Sequence, residues 1–564
     1  MKDYRIVIGI NALNGRPVFL TGKDRQSHMH IIGTTGAGKS KLMEYLMRCD
    51  ADLGNGACLI DRHGSSYQST LKYLVRMRRN KKVILIDPND EEWAVGLNYL
   101  EYDPEIRTPS SHASEVMKGI AKVFGGENTD IMPQLQRWER NALIPLTTSR
   151  LTLIELSQFI DPADGRFRQF ILQKCENAEL LAEWQRFDNS TKPQKEDNAN
   201  PIFNRCNKFA IGEVRRIFGQ INSTIDFREA MDTGKIILCN LSSNKFSEEE
   251  KKMLGIVLID KIVQAGLSRV NIPEAKRRPF FFYLDEFEYF VSDDIAKALW
   301  ELRKFKVFLI LAHQELEQLR DESRKVYSAV RAETDIKVAF RVSAEDAELL
   351  VRDYFPDGYD TQIKRVIEQT KFWPRETTRE VETEIENWSD SEFDSWGGGG
   401  SSGATRIPIP LFMDLGEGQQ TAAYQEVSTS SFSRGDGSNF GGGFTHSTVP
   451  FYEYIPFKEV SSVQDYTPEE LTRKYIAWLQ LQLNRHAQIK IGQKRTVPII
   501  TPLVIDIIVR KKDIESLKRM VYSLYARLAR EVDGMLVERR IWSLKEIEMM
   551  EVALYPTLEK MKHK

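Results

Sequence analysis

From the amino terminus to Phe340, short apolar runs alternate with longer amphipathic stretches. Most of the runs are continuously apolar, which is typical of strands buried on both faces of a mostly parallel sheet. Their alternation with helix-like stretches predicts an α/β layered domain. The predicted strands are Arg5–Ile10, Pro17–Leu20, Met29–Ile32, Ala57–Ile60, Val83–Ile86, Lys235–Cys239, Phe280–Leu284, Val307–Ala312 and Ile336–Phe340.

The alternation is interrupted between about residues 101 and 210. This stretch contains only helix-like segments, such as Ser111–Phe124 and Phe167–Phe187, and no convincing strand. We therefore expect an all-helical insertion in the α/β domain. Residues 188–201, with the sequence DNSTKPQKEDNANP, predict an exposed loop within it.

Glycine is concentrated in one later segment, because 12 of the 34 glycines fall between Gly397 and Gly443. A stretch this rich in Gly, Ser and Thr buries too little surface to offset its ordering entropy, so we expect a flexible loop. Beyond it, Ala487–Ile491 and Thr496–Ile500 predict a β-hairpin. From about Pro502 the pattern is helical and rich in Lys and Arg, which fits either a solvated face or a contact surface for nucleic acid or a partner.

Composition and charge exclude several classes of protein. Lys and Arg number 79 and Asp and Glu number 81, a formal net charge of −2, which excludes a globally basic nucleic-acid coat but not a local basic strip. No run reaches the ~18 apolar residues of a membrane span, and the amino-terminal residues lack a signal-peptide pattern. The five cysteines are widely spaced, so we expect reduced thiols and a cytoplasmic protein.

The strongest chemical signal is a glycine-rich loop that follows the apolar run MHII and precedes the helix-like KLMEYLMR. Its spacing is GxxxxGK[ST], and strand–loop–helix is the context that this phosphate-binding motif requires. Backbone N–H groups of such a loop surround phosphate oxygens, so we expect Lys39 to reach the β- and γ-phosphates and the Ser40 hydroxyl to bind Mg²⁺. The predicted nucleotide-binding residues are Gly33, Thr34, Thr35, Gly36, Ala37, Gly38, Lys39 and Ser40.

A second signal is a pair of carboxylates, Asp285 and Glu286, directly after the apolar run Phe280–Leu284. Ligands of open α/β sheets lie at the carboxyl ends of the strands, which is where this pair is expected. Asp285 is predicted to hold Mg²⁺, and Glu286 to act as the general base toward water. Gln314 follows the next apolar run and is predicted to sense the γ-phosphate or orient the water.

Asp61, His63 and Asp87 also follow predicted strands. Asp61 and Asp87 fit turn positions, since Asp side chains accept hydrogen bonds from nearby backbone N–H groups. For His63 both a turn position and a functional role remain open at this stage.

Taken together, the motifs resemble the HerA/FtsK superfamily of RecA-like motor ATPases, in particular the branch of the type IV secretion coupling proteins of conjugation and their soluble relatives. The resemblance spans roughly residues 1–355, with a weaker echo at 485–502 (RHAQIKIGQKRTVPIITP). The motifs are SHMHIIGTTGAGKS, LIDRHG, VILIDPND followed by GLNYL, IILCNLSS, FFYLDEFEYF, LRKFKVFLILAHQELEQL and IKVAFRVSAEDAE.

The resemblance implies a ring, a hexamer in this superfamily, that hydrolyses ATP with Mg²⁺ at subunit interfaces and moves DNA through its lumen. It also implies an arginine supplied by a neighbouring subunit. Arg303 matches the position of that arginine in the superfamily, just before the strand that ends in the sensor. Arg341 is the second candidate, and a buried salt bridge is the equal alternative for it. A secretion channel, a relaxase or a nuclease is the expected class of protein partner.

Two departures from the family pattern matter. Arg62 stands where the family has proline in Asp-Pro-His-Gly, and the chain lacks the transmembrane helices of the membrane-anchored coupling proteins. Membrane recruitment would then need a partner. Three hypotheses follow: a DNA-translocating ATPase, an ATPase that powers protein export or complex assembly, and a nucleotide-bound scaffold that recruits an effector such as a nuclease.

The predicted division of the chain combines these observations. It comprises amino-terminal strands with the first half of a RecA-like core and the Walker A loop (1–100), the helical insertion (101–210), and the second half of the core with Walker B and sensor (211–375). These are followed by the Gly/Ser-rich loop (376–447), strands that return to the core (448–505) and carboxyl-terminal helices (506–564).

Overall fold

The computed structural model describes residues 4–79, 82–124, 133–355, 363–385, 401–408, 424–431, 443–540 and 545. The chain divides into two units, of which the first combines Met1–Asp360 with Thr467–Lys564 and the second is Thr361–Tyr466. The candidate site residues all belong to the first unit.

Seventeen strands are described, and eleven of them form one sheet in the first unit. In chain order the strands are β1 Arg5–Asn11, β2 Pro17–Thr21, β3 His28–Ile32, β4 Gly56–Asp61, β5 Val83–Ile86, β6 Trp93–Ala94, β7 Ile236–Asn240, β8 Phe280–Asp285, β9 Val307–His313, β10 Thr334–Ala339, β11 Ile363–Ile385, β12 Ser401–Pro408, β13 Tyr424–Ser431, β14 Gly443–Asp465, β15 His486–Ile491, β16 Val497–Ile500 and β17 Arg527–Leu528.

The large sheet has the order β2-β1-β16-β15-β10-β3-β9-β8-β4-β7-β5. The strands from β10 to β5 pair in parallel, and the four strands from β2 to β15 extend this part in antiparallel pairing. The prediction of a mostly parallel RecA-like sheet is therefore confirmed. The predicted hairpin is β15–β16, which lies between β10 and the amino-terminal hairpin β1–β2.

Two apolar cores cover the two faces of this sheet, as the period-two geometry of strands requires. In β8, Phe280, Phe282 and Leu284 pack into one core, whereas Phe281 and Tyr283 pack into the other. Because both faces of the central strands are covered by helices, these strands are buried throughout and mostly apolar, which is the pattern that made them recognisable in the sequence.

Helices connect the strands and cover the sheet. In chain order they are α1 Lys39–Leu53, α2 Ser65–Arg76, α3 Pro109–Phe124, α4 Pro133–Thr148, α5 Leu156–Phe159, α6 Arg166–Leu172, α7 Ala178–Asp188, α8 Lys192–Ala210, α9 Arg215–Phe218, α10 Phe227–Thr233, α11 Glu248–Leu267, α12 Asp293–Glu301, α13 Leu316–Glu322, α14 Arg324–Glu333, α15 Ala344–Tyr354, α16 Pro468–Gln480 and α17 Lys511–Tyr525.

The insertion is helical, as expected, since its described residues between 101 and 210 contain helices α3–α8 and no strand. The loop predicted for residues 188–201 is wrong, because α8 begins at Lys192. Thr191 and Gln194 form a capping box that starts this helix. Only one narrow stripe of α8 is buried (Ala199, Ile202, Cys206 and Phe209). The rest of the helix is mostly polar, and the sequence therefore resembled that of a loop.

The second unit contains two antiparallel strand pairs. β11 and β14, each 23 residues long, pair over nearly their full length, and β12 pairs with β13. The predicted Gly/Ser-rich loop at 376–447 overlaps these strands, and its other residues lie outside the described residues.

After the second unit, the chain returns to the first unit through α16, which the sequence analysis did not predict. Residues 501–510 form neither helix nor strand, so the carboxyl-terminal helices begin at α17 rather than near Pro502. A further helical stretch covers residues 529–540. Within the part of the chain that the structure describes, no helix is both long and apolar enough to cross a membrane.

Candidate active site

The predicted site residues converge at the carboxyl ends of three adjacent strands, β3, β9 and β8. Thr35 of the glycine-rich loop donates a hydrogen bond from Oγ1 to Gln314 Oε1 at 2.9 Å. The Gln314 amide in turn donates from Nε2 to Glu286 Oε1, also at 2.9 Å. The loop, the sensor position and the acidic pair are thus joined by direct side-chain contacts.

Residues 33–40 connect β3 to α1, and two glycines fix how this loop runs. A Cβ on Gly33 would lie 2.6 Å from the Phe340 Cβ, so the close approach of loop and strand excludes larger residues. Gly38 has a φ of 124°, which favours glycine, and it stands at the start of α1. No side chain among the described residues caps this helix end, so its first backbone N–H groups are available to an anion.

Lys39 lies within this loop and is buried. Its Nζ donates to the backbone oxygens of Gly33 at 2.6 Å and Thr34 at 3.2 Å. Burial lowers the pKa of Lys39, and the negative charges of Asp285, Glu288 and Glu286 offset part of that effect. A buried ammonium group beside a loop of backbone N–H groups suits phosphate oxygens.

Asp285 ends β8 and is buried beside the start of α1. Burial raises its pKa to about 6, although a hydrogen bond with the Ser40 side chain acts in the opposite direction. Its Oδ1 has no hydrogen-bond partner among the described residues. A hydroxyl and a carboxylate with a free oxygen are the ligands that Mg²⁺ prefers, so Ser40 and Asp285 fit the predicted metal.

Glu286 follows with a left-handed backbone conformation, φ 51°, which is uncommon outside glycine and occurs at functional sites. Its Oε2 accepts a hydrogen bond from Arg62 Nη1 at 3.2 Å and lies 2.8 Å from His63 Nε2. Burial would raise the pKa of Glu286, but the hydrogen bonds from His63 and Gln314 and the charge of Arg62 outweigh it and lower that pKa.

Glu288 is a third carboxylate that the sequence analysis missed. It is buried, its Oε2 has no partner among the described residues, and burial raises its pKa to about 7. Its charge also acts on Lys39. The signal in the sequence was the third acid in Asp285-Glu286-Phe287-Glu288.

The two candidate arginines lie in different places. Arg303 precedes β9, so it is at the opposite edge of the sheet from Gln314, which follows the same strand. Its side chain is half exposed and pairs with Asp335 at 2.9 Å. Arg341 follows β10 and lies beside the loop of its own chain, with Nε 3.4 Å from Thr34 Oγ1.

The polar residues at the carboxyl ends of β4 and β5 make different contacts. Asp61 accepts hydrogen bonds from the backbone N–H groups of His63 at 3.0 Å and Tyr67 at 2.8 Å, which is a turn and helix-start position. Asp87 similarly accepts from the backbone N–H of Asn89 at 3.2 Å. His63 is the one of the three that contacts Glu286.

A segment from the carboxyl-terminal part also supports the glycine-rich loop. The backbone N–H of Arg485 donates to the Ala37 carbonyl at 3.0 Å, and Arg485 has a left-handed φ of 69°. Its guanidinium donates to the Thr501 carbonyl, which holds the two ends of the β15–β16 hairpin together. This contact joins residues about 450 positions apart, so the sequence carried no local signal for it.

Comparisons with known proteins bear on the family and the fold of the chain. Residues 8–262 match the family model described as the central domain of the helicase HerA. No curated protein sequence matches the chain.

Several solved structures have a similar fold. The unbound bacterial conjugative coupling protein TrwBdeltaN70 matches with a TM-score of 0.50 and 14% identity, covering 88% of this chain and 90% of that one. The plasmid coupling protein TrwB in complex with ADP and Mg²⁺ matches with a TM-score of 0.50 and 12% identity, covering 91% and 96%. At this identity the likeness shows the fold alone.

Proposed function

We propose that this chain, a P-loop ATPase of the HerA/FtsK superfamily, couples ATP hydrolysis to the movement of DNA. The main observation behind the proposal is the contact between the glycine-rich loop, the sensor residue Gln314 and the acid Glu286 in a core that matches the HerA family model. Thr35, Gln314 and Glu286 are linked by two hydrogen bonds of 2.9 Å next to the buried Lys39 and Asp285.

The nucleotide and metal would be held by residues already in place. Lys39 and the N–H groups at the start of α1 would bind the phosphates of ATP, and Ser40 and Asp285 would hold Mg²⁺. When bound, Mg²⁺ offsets negative charge on the phosphate oxygens. Lys39 would exchange its bonds to the Gly33 and Thr34 carbonyls for bonds to phosphate.

Glu286 and Gln314 are the residues that would act on water. Glu286 is ionised in its present surroundings, since its contacts lower its pKa, so one of its oxygens can accept the proton that the attacking water loses. Gln314 would orient that water through its amide group, after its bond to Glu286 opens.

Hydrolysis would need an arginine from a neighbouring subunit. Arg303 lies at the edge of the sheet opposite its own phosphate-binding loop, so it is placed to serve another subunit rather than its own. Arg341 contacts Thr34 of its own chain, and we assign it to binding rather than to the trans position. We therefore propose a ring with the site at each subunit interface, of six subunits if the superfamily's number holds.

DNA is the cargo that the comparisons favour. The matching family model is that of a helicase, and the structural neighbours are described as conjugative or plasmid coupling proteins. The process that we propose for the chain is conjugative-type DNA transfer, or DNA processing for a mobile element or in defence. A secretion channel, relaxase or nuclease is the corresponding class of partner.

The test is steady-state ATP turnover of the whole chain without DNA, with single-stranded DNA and with double-stranded DNA. We expect Mg²⁺-dependent turnover that at least one form of DNA stimulates, and no turnover in Lys39→Ala. Turnover that ignores every form of DNA would contradict DNA as cargo and favour an ATPase for protein export or complex assembly. Nucleotide binding with negligible turnover would favour a scaffold.

A further inference from the structure

Arg62 connects the catalytic glutamate to the surface of the protein. It follows β4, the strand next to β8, and its guanidinium contacts two carboxylates at once. Nη1 donates to Glu286 Oε2 at 3.2 Å, and Nη2 donates to Glu248 Oε2 at 3.2 Å. The guanidinium also lies over the ring of Tyr289, 4.0 Å from its centroid, which fixes its plane.

Glu248, the second carboxylate that Arg62 contacts, is held in place by further hydrogen bonds. Glu248 is in the first turn of α11 and accepts hydrogen bonds from the Tyr289 hydroxyl at 2.7 Å and from Lys251 at 2.8 Å. The next residue, Glu249, pairs with Lys208 of α8 at 3.4 Å. Arg62 therefore joins Glu286 to a helix start that contacts the helical insertion.

The contacts of Glu286 describe a resting arrangement. An ionised carboxylate offers about four acceptor positions, and Arg62, His63 and Gln314 occupy three of them. In addition, Gln314 bonds Glu286 directly at 2.9 Å, which leaves no room for a water molecule between the two groups. About one acceptor position of Glu286 therefore stays open in this arrangement, and the three contacts compete with the attacking water for the carboxylate.

We infer that Arg62 is a positioning residue that restrains Glu286 in the resting arrangement and thereby lowers the rate of ATP hydrolysis. The inference rests on the ATPase activity but not on the identity of the cargo. Arginine suits this role because its planar fork reaches Glu286 and Glu248 together, whereas a lysine offers a single point charge and can pair with only one of them at a time.

The experiment compares kcat and KM for ATP, without DNA, in the wild type, Arg62→Ala and Arg62→Lys. We expect Arg62→Ala to raise kcat roughly three- to tenfold with KM changed less than about twofold, and Arg62→Lys to fall between it and the wild type. The matched control is Arg510→Ala, which removes an arginine from an exposed pair with Asp513 and should change neither constant.

The double variant Arg62→Ala/Glu286→Gln distinguishes a restraint on Glu286 from a general loss of rigidity in the site. If Arg62 acts through Glu286, the gain disappears in the Glu286→Gln background, so that the double variant matches Glu286→Gln alone. Thermal unfolding of each variant checks that the fold is intact.

Several outcomes would overturn the inference. One is a kcat for Arg62→Ala that is equal to or lower than that of the wild type, even if Arg62→Lys restores the loss. Another is an increase in kcat that persists when Arg62→Ala is combined with Glu286→Gln. A wild type that binds ATP but never hydrolyses it would instead contradict the ATPase assignment, so the two failures are distinguishable.

Discussion

Asp285 at the carboxyl edge of the sheet and Glu139 within the helical insertion are both buried carboxylates with a raised pKa. Burial raises the pKa of Asp285 to about 6 and that of Glu139 to about 7. Both have oxygens without a hydrogen-bond partner among the described residues. Their neighbours differ: Asp285 lies beside Ser40, Lys39 and a second acid, whereas Glu139 has Arg205 Nη1 at 3.6 Å.

The comparison shows that a raised pKa by itself indicates only that a carboxylate is buried. A functional site is indicated when other polar and charged groups lie close to the same carboxylate. At Asp285 a glycine-rich loop, an uncapped helix start and a sensor side chain meet from three strands. Near Glu139, by contrast, α8 supplies the Arg205 guanidinium and the buried Cys206 thiol. We therefore propose a role in metal binding for Asp285 and none for Glu139.

Among the changes that leave ATP binding intact, the largest effect on turnover is expected from a residue that does not touch the site within one chain. Arg303→Ala should lower ATP turnover by about 10³-fold while each subunit still binds ATP, since an arginine supplied in trans offsets charge on the γ-phosphoryl group. Turnover and nucleotide binding of purified variants check this. Arg341→Ala is the comparison, and if it alone abolished turnover while Arg303→Ala remained normal, the two roles would have to be exchanged.

Removing the proposed base, Glu286, should have the next largest effect on turnover. Glu286→Gln keeps the shape of the side chain but cannot accept a proton, so we expect kcat to fall about 10²–10³-fold with ATP binding retained. Equilibrium nucleotide binding and single-turnover hydrolysis measure the two properties separately. Near-normal hydrolysis in this variant would remove Glu286 from the role of base.

The smallest effect is expected at Glu139, and on stability rather than activity. Its pKa in the folded state is raised above the unfolded value, so the folded chain binds the proton more tightly. The free energy of unfolding therefore falls as pH rises through the range from about 4.5 to about 7. Glu139→Gln should remove this slope and stabilise the protein by about 1–3 kcal/mol near pH 8, with ATP turnover unchanged.

Thermal unfolding of Glu139→Gln between about pH 5 and pH 8 measures this slope. The exposed Glu176→Gln is the matched control and should behave as the wild type at every pH. A loss of ATP turnover in Glu139→Gln would break the distinction between the two carboxylates.

The sequence predicted the parts of the fold whose burial is uniform. The strands β3, β4, β5, β7, β8 and β9 were recognisable because helices cover both faces of the sheet there, so that all of their residues are buried. Helices α8 and α16 were missed because each buries only one narrow stripe. Their capping boxes, Thr191 with Gln194 and Thr467 with Glu470, were the local signals that could have revealed them.

The proximity of the candidate site residues was predictable where the sequence signal is local. Lys39, Ser40, Asp285, Glu286 and Gln314 follow apolar strands in recognisable spacings, and the structure brings them together as expected. The contacts of Arg62 with Glu286 and of Arg485 with Ala37 join residues more than 200 positions apart. Such contacts depend on the order of strands in the sheet, which hydrophobic periodicity does not specify.

The most direct test of the account is electron microscopy of the full chain carrying Glu286→Gln, with ATP, Mg²⁺ and DNA. We predict a closed ring with nucleotide at each subunit interface, Arg303 of one subunit facing the γ-phosphate held by the next, and DNA in the central hole. Particles that bind nucleotide but remain single subunits, or rings that exclude DNA from the hole, would contradict the proposed DNA motor.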